Sequence, residues 1–315
     1  MMKELRIATR GSALALWQAN HVRALLLAEH PGLAVSLLPI TTRGDQIVDR
    51  PLAEIGGKGL FVKELERALL AGEADIAVHS MKDVPGQLPA GLHVPVVLAA
   101  ADPRDALVSP HYRSLDALPQ GARIGTSSLR RQCQLKRLRA DLRMGLLRGN
   151  LGTRLAKLDA GEFDALLLAG AGLERMGWGE RIAAWLVPEL MLPAVAQGII
   201  GIECRQGDAA VAQLIAPLAD APSLLRVTAE RAFSIRLGAN CEVPVAALAQ
   251  LHEGEIRLRG LVGRPDGSEV IEAEHRGRSD QAAALGCAVA EELLARGARQ
   301  ILVELGAHPP LETEP

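Results

Sequence analysis

Two short stretches gather the groups that hold anions. Thr9-Arg10-Gly11-Ser12 and Thr126-Ser127-Ser128 each stand between an apolar run and a segment of helical period. Ser or Thr at such a junction caps the helix that follows. The same hydroxyls, with the N–H groups of the first helical turn, also bind carboxylate or phosphate. Arg10 beside the first junction, and Arg130 and Arg131 beside the second, favour the anion. The second junction opens a basic stretch. Between positions 123 and 154 lie Arg123, Arg130, Arg131, Lys136, Arg137, Arg139, Arg143, Arg148 and Arg154, against a single acid, Asp141. Arg137, Arg139 and Arg143 read equally well as a solvated face. Arg130, Arg131, Arg148 and Arg154 fall at loops and helix starts, where ligands bind.

A reacting group stands in His79-Ser80-Met81-Lys82-Asp83-Val84-Pro85, directly after a short apolar run. Asp83 is either a turn residue paired with Lys82 or a carboxylate that acts as an acid and steadies a cation. Residues 45–59 end in Gly56-Gly57-Lys58-Gly59. That is long for a structureless connection, so a mobile lid is expected. It is not a P-loop, because the glycine spacing is wrong and no Ser or Thr follows Lys58. Cys241, in Leu237-Gly238-Ala239-Asn240-Cys241-Glu242-Val243-Pro244, is either an inert small residue or a thiol that reacts once and stays bonded. A preceding helix end and Glu242 would raise its pKa, which ill suits a nucleophile of many turnovers.

Composition narrows the ligand. Six of the 35 basic residues are Lys, which leaves 29 Arg. Arginine offers a rigid fork for carboxylate or phosphate. Compositional bias explains such an excess as well as function does, so position decides which arginines matter. Only 2% of residues are aromatic, so platforms for stacking single-stranded bases are missing. No helix-turn-helix or zinc-finger spacing occurs. Nucleic acid is therefore not expected as a partner. Cys133, Cys204, Cys241 and Cys287 are far apart and form no CxxC, so neither a disulfide framework nor a metal is expected. The charged N-terminus lacks the apolar core of a signal peptide. The apolar run 92–101 is too short to span a bilayer. A cytoplasmic protein with no membrane partner is expected.

These groups need elements to hold them. Leu5–Thr9, Leu33–Thr41 and Asp75–His79 read as strands, and Ser12–Glu29 and Leu60–Ala71 as helices. The order then recurs. Arg6-Ile7-Ala8-Thr9 matches Arg123-Ile124-Gly125-Thr126, Arg43-Gly44-Asp45 matches Arg148-Gly149-Asn150, and Gly72-Glu73-Ala74-Asp75 matches Gly161-Glu162-Phe163-Asp164. Three matches in one order predict two similar α/β halves with a cleft between them. After about Ala219 the pattern changes. A helix over Pro222–Leu237, strands around Ile256–Val262 and Glu269–Glu274, and a helix over Gln281–Arg296 predict a smaller α+β domain.

Together the stretches Arg6–Ser12, Thr42–Asp45, Gly56–Glu64, Asp75–Pro85, Asp102–Asp105, Gly125–Gln134, Leu147–Arg154, Leu192–Arg205 and Val227–Pro244 resemble the porphobilinogen deaminase (hydroxymethylbilane synthase) family. The resemblance implies a transferase that condenses four porphobilinogens head to tail, with loss of four ammonias. Hydrolysis then releases linear hydroxymethylbilane for the next enzyme of tetrapyrrole synthesis. It implies a dipyrromethane cofactor, built from substrate and joined to Cys241 by a thioether. Asp83 would assist loss of the aminomethyl nitrogen and stabilise the azafulvenium-like cation. Arg10, Ser12, Lys82, Thr126, Ser128, Arg130, Arg131, Arg148, Arg154 and Arg175 would bind acetate and propionate groups, with Ser80 and Gln197 nearby and Lys58 and Phe61 at the lid.

The implied fold is three domains. Two are similar doubly wound α/β domains like type II periplasmic binding proteins, 1–100 plus 197–219 and 101–196. A smaller α+β domain, 220–315, carries the cofactor. A monomer is implied. Three residues depart from the family pattern. Glu54 replaces a basic lid residue of some members, leaving a lid contact to substrate open. Ala196 and Asn240 stand where glycine is common and would stiffen the hinge or the cofactor loop.

Overall fold

The computed structural model describes residues 3–46, 59–239 and 243–310. They divide into two units: 3–46, 59–101 and 198–224 in the first, and 102–197, 225–239 and 243–310 in the second.

In chain order the first elements are β1 (Glu4–Arg10), α1 (Ala13–Glu29), β2 (Ala34–Ile40) and a single turn α2 (Arg43–Gln46). Then come α3 (Lys63–Leu70), β3 (Ile76–Ser80), a 3₁₀ turn over Met81–Asp83, and β4 (Leu92–Val97). The middle of the chain holds β5 (Asp105–Val108), β6 (Arg123–Gly125), α4 (Leu129–Leu138), β7 (Arg143–Gly145), α5 (Leu151–Asp159), β8 (Ala165–Ala169), α6 (Gly170–Arg175) and β9 (Ile182–Leu186). The last part holds β10 (Ile200–Arg205), α7 (Ala209–Ile215), α8 (Ala221–Arg236), β11 (Val245–His252), β12 (Glu255–Gly263), β13 (Val270–Arg278), α9 (Ala282–Leu293) and α10 (Arg299–Glu304).

The first unit is built on a sheet of order β2-β1-β3-β10-β4, and the second on one of order β7-β6-β8-β5-β9. The two follow one plan. In each, the second strand runs parallel to the first and third, and the fourth is antiparallel to both its neighbours. Each fourth strand is contributed from outside its own run: β10 follows the second half in the chain, and β5 precedes it. The repeated motifs mark equivalent joints. The Arg6 amide donates to Asp75 Oδ2 at 2.8 Å, and the Arg123 amide to Asp164 Oδ2 at 2.7 Å. Gly72 and Gly161, at φ 71° and 75°, turn the chain into β3 and β8.

Apolar periodicity decides which faces are buried. In α1 the Ser12 hydroxyl accepts from the Ala15 amide at 3.3 Å, and Ala15, Ala19, Val22 and Leu26 form the buried face. Leu26 is fully buried, worth about 2 kcal/mol in removal from water. Ala8, Ala77, Leu65 and Leu69 pack on the sheet's other side, so helices cover both faces. Helix α3 starts later than its apolar pattern implies, because Gly59 at φ 78° first makes a turn and accepts from the amides of Val62 and Lys63.

The C-terminal part of the second unit is an antiparallel sheet β11-β12-β13 packed on α8, α9 and α10 around Phe233, Leu258 and Val289. Strand β11 escaped the sequence reading: Val-Ala-Ala-Leu-Ala lacks the β-branched density that marks a strand. The helix expected over Gln281–Arg296 keeps α-form only to Leu293. A wider turn over Leu294–Ala298 follows, with Gly297 at φ 103°. Among the described residues no single helix is long and apolar enough to cross a membrane.

Candidate active site

In the first unit the chemistry gathers where β1 and β3 end. Strand β3 runs into the turn Met81–Asp83, pinned by the Met81 amide to the Ile199 carbonyl at 2.9 Å. Gly201 of β10 lies against the Met81 side chain, where a Cβ would collide with the sulfur. Asp83 is half-buried and has no hydrogen-bond or ion-pair partner among the described residues. It is thus not the turn carboxylate paired with Lys82 that the sequence allowed. Ser80 exchanges hydrogen bonds with Gln18, whose Nε2 donates to the Ser80 hydroxyl at 2.8 Å. Gln18, nine-tenths or more buried on α1, went unread because it lies mid-helix with no motif around it.

Arg10, the last residue of β1, meets Asp45 on α2. Its Nε donates to Asp45 Oδ2 at 3.2 Å and its Nη2 to Oδ1, and its guanidinium lies 4.2 Å over the Phe61 ring. Burial would raise the Asp45 carboxyl, but hydrogen bonds and charge from Arg10, with Thr42, hold it below the usual range. Ser12 is the cap of α1. Its hydroxyl is thereby oriented by the helix it starts.

In the second unit the junction after β6 does the equivalent work. The Ser128 hydroxyl caps α4 by accepting from the Arg131 amide. Thr126 is buried, and its hydroxyl accepts from the Ser128 amide at 3.3 Å. The Ser127 hydroxyl bridges to Leu147, donating to its carbonyl at 2.8 Å. The Arg154 Nε donates to the Gly149 carbonyl at 2.8 Å, next to Arg148, which is almost wholly buried. Burial pulls the Arg175 guanidinium below the usual arginine value, with Glu174 opposing.

Arg130 and Arg131 converge on Asp105, at the start of β5. Arg130 Nη1 donates to Asp105 Oδ2 at 2.7 Å and to the Leu192 carbonyl at 2.6 Å. Arg131 donates to Asp105 Oδ1 from Nη2 at 2.7 Å and from Nε at 3.1 Å, and its Nη1 donates to the Leu167 carbonyl at 3.0 Å. Gln197 Nε2 donates to the same Oδ1 at 3.0 Å. Asp105 is 0% exposed. Burial alone would raise its carboxyl, but the two guanidiniums outweigh this and hold it well below the usual range. Two cations against one anion leave a net positive charge in a buried place. Each arginine keeps N–H groups beyond those named. Such a site suits an anionic ligand. From the sequence the arginines and Gln197 were read as site residues, whereas Asp105 fell in a stretch that carries the family resemblance but was given no role. The shortage of acids between 123 and 154 was the available signal, since the counter-charge had to come from elsewhere.

Next to Gln197, Ala196 adopts φ 56°, rare for a residue with a side chain. Its amide donates to Glu230 Oε2 at 2.5 Å. Glu230 is fully buried and also takes Arg226 Nε at 2.7 Å and the Ala249 amide at 2.9 Å. Cys241, Lys58, Glu54 and Asn240 lie outside the described residues. Among those described, no cluster of three or more His, Cys, Asp or Glu could hold a metal ion.

Comparison with known proteins accords with this chemistry. Residues 5–213 match the profile of porphobilinogen deaminase, dipyromethane cofactor binding domain, and residues 224–295 match that of porphobilinogen deaminase, C-terminal domain. Similar solved structures include a nutrient binding protein from Burkholderia cenocepacia bound to methionine. It is 14% identical with TM-score 0.41, over 67% of this chain and 90% of that one. A periplasmic substrate-binding protein of an ABC transporter from Coxiella burnetii is 14% identical with TM-score 0.44, over 70% and 94%. A TRAP periplasmic solute binding protein from Desulfovibrio salexigens is 14% identical with TM-score 0.43, over 70% and 73%. At those scores the fold rests on the strand order, and the function on the two profiles. With profiles matched along nearly its whole length, the chain belongs to the porphobilinogen deaminase family.

Proposed function

We propose that this chain is a hydroxymethylbilane synthase in which Asp83 does the acid–base work and the second unit's cations hold the carboxylates of a growing pyrrole chain. The observation that carries the reading is Asp83: half-buried, at the end of β3, with no partner of its own among the described residues. A carboxylate so placed can hydrogen-bond the aminomethyl nitrogen of porphobilinogen. Its charge offsets the positive charge left on the substrate carbon as ammonia departs.

The donor set fits dipyrromethane, whose exposed groups are carboxylates. Arg130 and Arg131 bring a net positive charge, and Arg148, Arg154, Arg175, Thr126 and Ser128 add donors. When bound, the cofactor supplies the terminal pyrrole to which the first substrate is joined. Guanidinium keeps its charge as each added pyrrole brings two more carboxylates. Lys82, Arg10 and Ser12 would serve the incoming substrate, with Ser80 beside them and Lys58 and Phe61 at the loop. We take Cys241 as the point of attachment. We take the enzyme to be a cytoplasmic monomer whose linear product goes to a further enzyme.

Intact-mass measurement of purified protein is the test. An adduct of two pyrrole units is expected in wild type and absent from Cys241→Ser. Asp83→Ala should fold and keep the adduct while turnover falls by orders of magnitude. An active wild type of unmodified mass would overturn the cofactor assignment. Near-normal turnover in Asp83→Ala would overturn the role of Asp83.

A further inference from the structure

The Arg10 fork is already occupied. Nε and Nη2 form the edge of a guanidinium that takes a carboxylate side-on, and Asp45 binds both. Asp45 is itself held there. Its Oδ2 accepts from the Thr42 hydroxyl at 2.7 Å and from the Thr42 amide at 3.3 Å. Phe61 covers one face of the guanidinium, and a Cβ at Gly44 would overlap its ring.

The fold does not need this pair. In the second unit, Ser127 stands at the position equivalent to Arg10, and Asn150 at that equivalent to Asp45. There the same joint is closed by neutral groups. Ser127 bonds Leu147, and Asn150 caps α5 by accepting from the Thr153 amide at 2.9 Å. A charge pair present in one half and dispensable in the other points to ligand handling.

We infer that Asp45 is an internal competitor of substrate: its carboxylate stands in for a substrate carboxylate at Arg10 and must be displaced for binding. This rests on the reading of Arg10 as a carboxylate ligand. The pair is partly exposed, each side chain at 22%, so solvent and a ligand can reach it. An affinity measured against an occupied site is reduced by the fraction of sites that are open. Removing the competitor therefore lowers KM without touching the chemical step. A carboxylate that merely oriented Arg10 would give the opposite sign, because its loss would slacken the fork.

The experiment is steady-state kinetics with porphobilinogen on the cofactor-loaded enzyme, for Asp45→Asn, Asp45→Ala, Arg10→Leu and the double variant Asp45→Asn/Arg10→Leu. The Asp45 variants should lower KM by about three- to tenfold, with kcat within about twofold of wild type. Arg10→Leu should raise KM, and adding Asp45→Asn to it should bring no further gain. If KM is unchanged or raised in both Asp45 variants while Arg10→Leu raises it, the competitor assignment falls and the role of Arg10 stands. If Arg10→Leu leaves KM unchanged, both fall.

Discussion

Asp105→Asn keeps the size of the side chain and removes its charge. Two guanidiniums that share one fully buried carboxylate then lose their counter-ion. The amide also turns N–H groups toward arginine N–H groups. Removing one partner from a buried pair costs about 3–5 kcal/mol. Domains are commonly stable by about 5–15 kcal/mol, so this is a large share. The acid limb adds a second signature. An unfolded Asp titrates near about pH 4. In the folded protein Asp105 is depressed, with burial opposing and Arg130 and Arg131 winning. Its contribution is therefore fully present above about pH 4 and is lost as pH falls through the folded value. That gives a slope of up to about 1.4 kcal/mol per pH unit, which the variant lacks. Urea unfolding followed by circular dichroism between pH 7 and pH 3 measures both. We expect a lower midpoint at pH 7 and a flatter acid limb, so that the gap between the two curves narrows toward pH 3. A loss below about 1 kcal/mol at pH 7, or parallel acid limbs, would refute the reasoning.

Two further outcomes follow from placement. Arg148→Leu should raise KM or block elongation far more than Arg137→Leu, because Arg148 is buried while Arg137 is half-exposed and paired with Glu272. Equal effects in a turnover assay would show that burial does not sort the basic stretch. Ala196→Gly should gain up to about 1 kcal/mol in urea unfolding, since φ 56° strains alanine and suits glycine. A destabilised variant would show that loss of the buried methyl and the greater freedom of the unfolded chain outweigh the relief of backbone strain.

What could be read beforehand was whatever depends on local pattern. The paired joints Arg6/Asp75 and Arg123/Asp164 were visible as repeated motifs because each does a local job at a strand start. The caps Ser12 and Ser128 were visible for the same reason. The fourth strand of each sheet was harder, since its place depends on pairing between distant parts of the chain, as between Ile200 and Ser80 or between Asp105 and Ala169. Counter-ions were hardest. Asp105 lies 25 and 26 residues from its arginines, and Asp45 lies 35 from Arg10. No periodicity links such pairs, so the sequence exposes the cations and hides the anions that restrain them.

That asymmetry separates two uses of one device. In each unit an arginine expected to bind ligand carboxylates is already engaged by a carboxylate of the chain. At Arg10 the ratio is one to one and both partners are partly wet, where ion pairs are worth at most about 1 kcal/mol. An incoming carboxylate can match that and replace Asp45. At Arg130 and Arg131 the ratio is two to one and the carboxylate is dry. A ligand that displaced Asp105 would leave it buried and unpaired, so Asp105 serves as the frame for the two guanidiniums. The two neutralising substitutions must then act on different quantities. Asp45→Asn should tighten substrate binding at little cost in stability, whereas Asp105→Asn should cost stability first. Similar effects from both would mean that burial and charge ratio do not set the role of a resident carboxylate in this fold.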